Sequence, residues 1–101
     1  ERVHIDDSIY EFIAQLTAST RKSPHIRLGA SPRGSIALVR LARAAAWLSG
    51  RDYVVPEDVD TVFYDALEHR LLLNAQAKVA GLTAHGVLEE IRRTTRPPKL
   101  V

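Results

Sequence analysis

Ser31, Pro32 and Arg33 are the residues of this sequence whose types and order could do chemistry. Ser31 suits the N-cap of a helix, since its hydroxyl can accept a hydrogen bond from a first-turn N–H, and Pro32 suits the first helical position. Arg33 then adds a cation where the helix dipole already concentrates positive charge. Helix starts bind anions, and a guanidinium matches phosphate oxygens. The pattern predicts that Arg33 binds a phosphate supplied by another part of the protein. A solvated arginine, or one paired with a nearby carboxylate, is the open alternative.

Other catalytic or metal-binding patterns are not found in the sequence. The four histidines are far apart and lack metal-ligand spacing, so we expect no metal site: they are His4, His25, His69 and His85. There is no P-loop and no glycine-rich dinucleotide fingerprint. The neighbouring acids Asp52 and Asp58, and Glu89 and Glu90, are interpreted as helix-cap and surface charges.

The composition is that of one globular domain over residues 1–101. Hydrophobic residues make up 46% and charged residues 26%, the net charge is +2, and eleven of the 14 cations are arginine. No cysteine is present, which fits a cytoplasmic protein, and no apolar run is long enough to predict a membrane span. Methionine is also absent and the chain begins at Glu1, so we expect a piece of a longer protein.

The hydrophobic pattern predicts an all-α fold, a small four-helix bundle. The first helix starts at Asp6 or Ser8 and ends before Pro24, the second runs from Pro32 to about Ser49, and the third runs from Pro56 to about Arg70. Thr83 caps the fourth, whose inner face is Val87, Leu88 and Ile91, and Pro97 and Pro98 end the ordered part. Loops are placed at 23–30 and 74–81. Residues 71–73 are either a helix extension or a short extended segment after the third helix, and the structure of residues 71–81 is left open. The inner face of the second helix is predicted to consist of apolar residues at helical spacing, namely Ala37, Leu38, Leu41, Ala44, Ala45 and Leu48.

Two segments in order carry a resemblance to a known family. They read GASPRG at residues 29–34 and GRDYVVPEDV at residues 50–59, with an alanine-rich helix between them. Together with RL at 27–28, HRLLL at 69–73 and GLT at 81–83, they resemble the C-terminal lid domain of AAA+ ATPases of the MoxR family. The similarity covers essentially the whole chain.

The resemblance implies a helical lid packed beside an ATP-binding core that lies outside this chain. Arg33 then corresponds to the sensor 2 residue, which reaches the γ-phosphate, and Ser31 and Pro32 lie on the phosphate side of the bound ATP. Two departures from the family pattern are visible, Gly34 in place of alanine and Val55 in place of threonine.

The same resemblance implies properties of the full-length protein. The core would hold Mg²⁺ and the Walker motifs, so the lid alone should be inactive. Such ATPases form rings, commonly hexamers, and carry out chaperone-like remodelling, often beside a von Willebrand factor A protein.

Two other functions are open on the residues alone. A helical DNA-binding module could use Arg40, Arg43 and Arg51, but the second helix offers mostly alanine and leucine for base contacts, and the net charge is low, so we do not expect nucleic acid. A protein-interaction bundle without a nucleotide role could use aromatic anchors, which would be Trp47, Tyr53 and Tyr64.

Overall fold

A computed structural model describes residues 3–99 and shows the predicted helical fold. Its elements are α1 (Asp7–Lys22), β1 (Ile26–Leu28), α2 (Pro32–Leu48), α3 (Pro56–Leu67) with a 3₁₀ turn at Glu68–Arg70, β2 (Leu72–Leu73), α4 (Ala75–Val79) and α5 (Ala84–Thr94). Within the described range there are thus five helices rather than four. The additional one, α4, lies in the segment that we predicted as a loop. No helix in residues 3–99 has the length and apolarity needed to cross a membrane.

Side-chain caps define most of the helix starts. The Asp6 carboxylate accepts hydrogen bonds from the Ser8 hydroxyl at 2.6 Å and from the Ser8 N–H at 3.0 Å, which together lower the pKa of Asp6, and the second makes Asp6 the cap of α1. Thr83 caps α5 as predicted, by accepting from the Gly86 N–H at 3.0 Å. Asn74 caps α4 in the same way, by accepting from the Ala77 N–H.

The junction between α2 and α3 is held by a glycine and an acid. Gly50 has a φ of 82°, which lets the Arg51 N–H turn back to the Ala46 carbonyl at 3.0 Å and close the end of α2. At the start of α3, the buried Asp58 carboxylate accepts from the Val55 N–H at 2.8 Å. The weak cap at Val55 is therefore compensated from within the helix, three residues later.

The core is formed mainly by α1, α2, α3 and α5. The predicted inner face of α5 is confirmed, since Val87, Leu88 and Ile91 are buried. Large side chains at the centre of the core come from α1 and α3, and among them Phe12 and Phe63 are fully buried.

The predicted inner face of α2 is wrong in part. Leu38 is buried, but Leu41 and Leu48 are exposed, and the buried face continues instead through Gly34, Ala42 and Ala46. Small residues on that face let the α2 backbone approach α3 closely, which is favourable because interiors are densely packed. Both sides of α2 have apolar residues at helical spacing, so the hydrophobic pattern alone could not show which side is buried.

Two backbone pairings connect segments that are distant in sequence. β1 and β2 pair antiparallel, with Ile26 opposite Leu73, so part of the predicted 23–30 loop is a strand and residues 72–73 form the extended segment. Near the amino-terminal end, the His4 N–H donates to the Asp52 carbonyl at 2.7 Å, and the His4 carbonyl accepts from the Val54 N–H at 2.9 Å. The chain before α1 is thereby attached to the segment between α2 and α3.

Candidate functional site

The backbone that leads into α2 is fixed on the last turn of α1. The buried Ala30 N–H donates to the Thr20 hydroxyl at 2.9 Å, and Arg21 donates to the Ala30 carbonyl at 2.8 Å. Gly29 lies so close to α1 that a Cβ atom at this position would be 2.8 Å from the backbone of Thr20 and Arg21. The start of α2 is therefore held at a fixed position relative to α1.

Ser31 and Pro32 occupy the predicted positions at the start of α2. Ser31 is the N-cap and Pro32 the first helical residue, but the Ser31 hydroxyl makes no capping hydrogen bond, contrary to the prediction. The Gly34 N–H, which a capping hydroxyl could bind, donates to the Ser31 carbonyl at 2.9 Å. The exposed hydroxyl is left available to solvent or to a ligand.

Arg33 follows in the first turn of α2 and is exposed. Among residues 3–99 its guanidinium has no hydrogen-bond or ion-pair partner. The alternative in which Arg33 pairs with a carboxylate of its own domain is therefore not realised in this part of the chain. A cation at the positive end of a helix, without a counter-charge, is an arrangement suited to an anion from outside.

A groove of about 750 Å³ runs between α1 and α2 beside this helix start. Ser31 and Pro32 form one end, while Arg33 is not among the residues that line it. The apolar side chains of the groove include Ile13, Ile36 and Val39. Sequence reasoning did not find the groove, because it arises from how two helices pack rather than from a motif.

The exposed surface of α2 that continues from this groove is the second feature, and Arg43 on it donates to the Tyr10 hydroxyl of α1 at 3.3 Å. We call it the outer face of α2 and define it by Ile36, Arg40, Arg43, Trp47 and Leu48. Trp47 is 61% exposed and Leu48 is 84% exposed. Trp47, Leu48 and the two arginines line a shallow hollow of about 420 Å³.

The remaining charged groups of note act within the bundle. Arg51 pairs with the buried Asp58, which raises the pKa of Arg51, and Arg92 pairs with Asp60, which raises the pKa of Arg92. Tyr64, a predicted anchor, is half-buried instead, and burial raises the pKa of its hydroxyl. No cluster of potential metal ligands occurs in the described part of the chain.

Comparisons of the sequence and of the structure with known proteins point to the same family. Residues 18–91 match the AAA lid domain family. The chain is 42% identical over 98 residues to the uncharacterized protein YeaC of Bacillus subtilis, which covers 97% of this chain and 31% of the relative. It is 30% identical over 105 residues to Chaperone MoxR1 of Mycobacterium tuberculosis, which covers 95% of this chain and 28% of the relative.

A solved structure extends the likeness to three dimensions. A protein of Cytophaga hutchinsonii, provisionally named an ATPase, matches with a TM-score of 0.90 and 36% identity over 97% of this chain and 32% of that one. The chain thus spans about a third of the length of the relatives that it matches. From these matches and the helical fold, the chain belongs to the AAA lid domain family and is a lid of the MoxR type.

Proposed function

We propose that this chain is the lid of an ATPase and that Arg33 acts as its sensor 2 residue. Arg33 would contact the γ-phosphate of ATP, and Ser31 and Pro32 would lie on the phosphate side of the nucleotide. The observation that supports this assignment is that Arg33 is exposed at the start of α2 and has no partner among residues 3–99. The core domain of the longer protein would supply the Walker motifs and Mg²⁺.

Arg33 would then couple the nucleotide state to the position of the lid. Its guanidinium would contact the γ-phosphate of ATP and lose that contact after hydrolysis. The free energy of this contact would then favour one position of the lid in the ATP state and not in the ADP state. Thr20 and Arg21 hold Ala30, and therefore a displacement of the α2 start is carried into α1 rather than absorbed by a loose loop. A fixed cation that faces a developing phosphoryl charge also assists hydrolysis.

We further propose that the outer face of α2 packs against protein in the assembled ATPase. Trp47 and the arginines Arg40 and Arg43 are residue types that are enriched in interface hot spots. The contact would be made with the core domain of the same chain or with a neighbouring subunit of a ring, commonly a hexamer. The exposed apolar area of Trp47 and Leu48 favours such a protein contact over duplex nucleic acid.

The cellular role and the partners of the full-length protein are implied by the family resemblance alone. Chaperone-like remodelling in the cytoplasm, with a von Willebrand factor A protein as partner, remains a prediction from the sequence. A protein-interaction module without a nucleotide role is the second candidate, which the outer face of α2 favours.

The sensor assignment is tested with Arg33→Ala in the full-length protein. We expect kcat for ATP hydrolysis to fall about 100-fold, as for removal of one preorganised donor from a reacting anion. Arg93→Ala is the matched control, because Arg93 is an exposed arginine in α5 without a partner in the described chain. Unchanged ATP turnover and unchanged nucleotide-dependent assembly in Arg33→Ala would show that the assignment is wrong.

A further inference from the structure

Arg70, on a different element from Arg33, is held against the start of α2. Its Nε donates to the Ala66 carbonyl at 2.9 Å, which fixes the inner part of the side chain. Its Cδ lies 3.7 Å from the point that a Cβ atom of Gly34 would occupy. The Arg70 side chain therefore passes beside the first turn of α2, the turn that also carries the exposed Arg33.

Neither arginine has an acidic partner among the described residues 3–99. Residues 12–51 contain no Asp or Glu, although they contain seven Lys and Arg. Glu68, the acid nearest to Arg70 in sequence, is 3.2 Å from the His85 ring. Within residues 3–99 neither Arg33 nor Arg70 forms an ion pair. Two cations that are placed together without an acid repel each other, and an anion that binds both removes that repulsion.

We propose that Arg70 is a second γ-phosphate-binding residue, which acts beside Arg33 on the same nucleotide. This inference rests on the proposed function, since it takes the ligand to be ATP. The bond from Nε to Ala66 leaves the two terminal nitrogens of Arg70 free to donate to phosphate oxygens. Because the side chain is already held in place, little conformational freedom is lost when the phosphate binds.

The residue of α2 that lies nearest to the Arg70 side chain in this contact is a glycine, Gly34. A Cβ atom at this position would lie 3.2 Å from the Leu67 side chain and 3.7 Å from Arg70. A larger side chain would occupy the space that Arg70 crosses. Gly34, which is a departure from the family pattern in sequence, thus leaves room beside Arg70, although an alanine Cβ would still meet Arg70 at an ordinary contact distance.

The test measures binding of fluorescently labelled ATP and ADP, each with Mg²⁺, to the full-length protein. The variants are Arg70→Ala, Arg70→Lys and Arg33→Ala, with Arg93→Ala as the control. We expect Arg70→Ala to weaken ATP binding about tenfold or more, the size of one charge-assisted hydrogen bond, and to change ADP binding less than about twofold. Arg70→Lys should recover part of the loss, because a lysine keeps the charge but not the planar fork.

The outcomes separate this inference from the proposed function. If Arg33→Ala weakens ATP binding and Arg70→Ala does not, the role of Arg70 is overturned and the sensor assignment stands. If only Arg70→Ala weakens ATP binding, Arg70 holds the phosphate and the sensor assignment of Arg33 is wrong. Equal losses for ATP and ADP in Arg70→Ala, with a lowered unfolding temperature, would show a structural role and overturn the inference.

Discussion

Gly29 determines how the chain passes from the end of α1 to the start of α2. The backbone there runs against Thr20 and Arg21, and the next residue, Ala30, is bound by both of their side chains. Arg33 follows four residues after Gly29. The position of the proposed phosphate contact therefore depends on Gly29, which has no side chain that could bind a ligand.

We expect Gly29→Ala to destabilise the fold by about 2 kcal/mol, as for overpacking in a filled interior. The added Cβ would lie 2.8 Å from backbone atoms of α1, which cannot move aside as a side chain can. Gly34→Ala is the matched control, because its Cβ meets side chains at 3.2 Å and 3.3 Å. There we expect a change within about 1 kcal/mol, since alanine favours a helix. Thermal unfolding of this chain measures both variants, and equal effects would contradict the expected clash at Gly29.

Among the elements, α5 and α2 show how far the sequence predicts the fold. In α5 only one face is apolar, so Val87, Leu88 and Ile91 could be assigned to the core from their spacing alone. In α2 both faces are apolar, and the leucine at position 48, which fitted the pattern, is exposed. The choice between the two faces depends on which one fits closely against α3, and this is a property of the packed structure.

The short strands and the candidate site also contain features that the sequence does not predict. β1 and β2 have three and two residues, too few for a period to be recognised, and they exist because they pair with each other. The start of α2 at Pro32 was predictable, since proline at the first helical position is a local signal, but the expected cap hydrogen bond of Ser31 is not formed. The groove beside this helix start and the approach of Arg70 were not predictable, because they bring together residues from separate elements.

At the start of α3 the buried Asp58 serves two partners. It accepts from the Val55 N–H and pairs with Arg51, so its removal leaves both without their acceptor. We expect Asp58→Ala to lower the free energy of unfolding by about 1–3 kcal/mol, the cost of leaving buried polar groups unsatisfied. Asp65→Ala, in an exposed position of the same helix, should change it by less than about 0.5 kcal/mol. Denaturant unfolding of the two variants makes the comparison, and similar values would refute the dual role.

For the whole molecule, the unequal distribution of charge matches the proposed assembly. All seven cations of residues 12–51 lie in a stretch without acids, and this stretch includes the outer face of α2. The six acids of residues 52–68 follow without any Lys or Arg among them. The two stretches meet in the Arg51–Asp58 ion pair, and the exposed Arg40 and Arg43 leave α2 basic, which favours docking onto an acidic surface.

We expect Trp47→Ala to weaken assembly of the full-length ATPase while it leaves the fold of the lid unchanged. Because Trp47 is 61% exposed, the free energy of unfolding should change by less than about 0.5 kcal/mol. Loss of a central tryptophan from an interface typically costs about 2 kcal/mol or more. Val79→Ala is the control, since Val79 is 88% exposed and lies outside the outer face of α2. Analytical ultracentrifugation with nucleotide measures assembly, and intact rings in Trp47→Ala would rule out the contact with a neighbouring subunit.

The pairing of His4 with the segment at Asp52 and Val54 also has a mechanical consequence. The two hydrogen bonds join strands that run in the same direction, and they lie at the far end of α2 from Arg33. A pull on the backbone at Val3 would load these two bonds in shear before it strained α1. α2 would then link the proposed phosphate contact at its first turn to the amino-terminal segment that is paired just beyond its last turn.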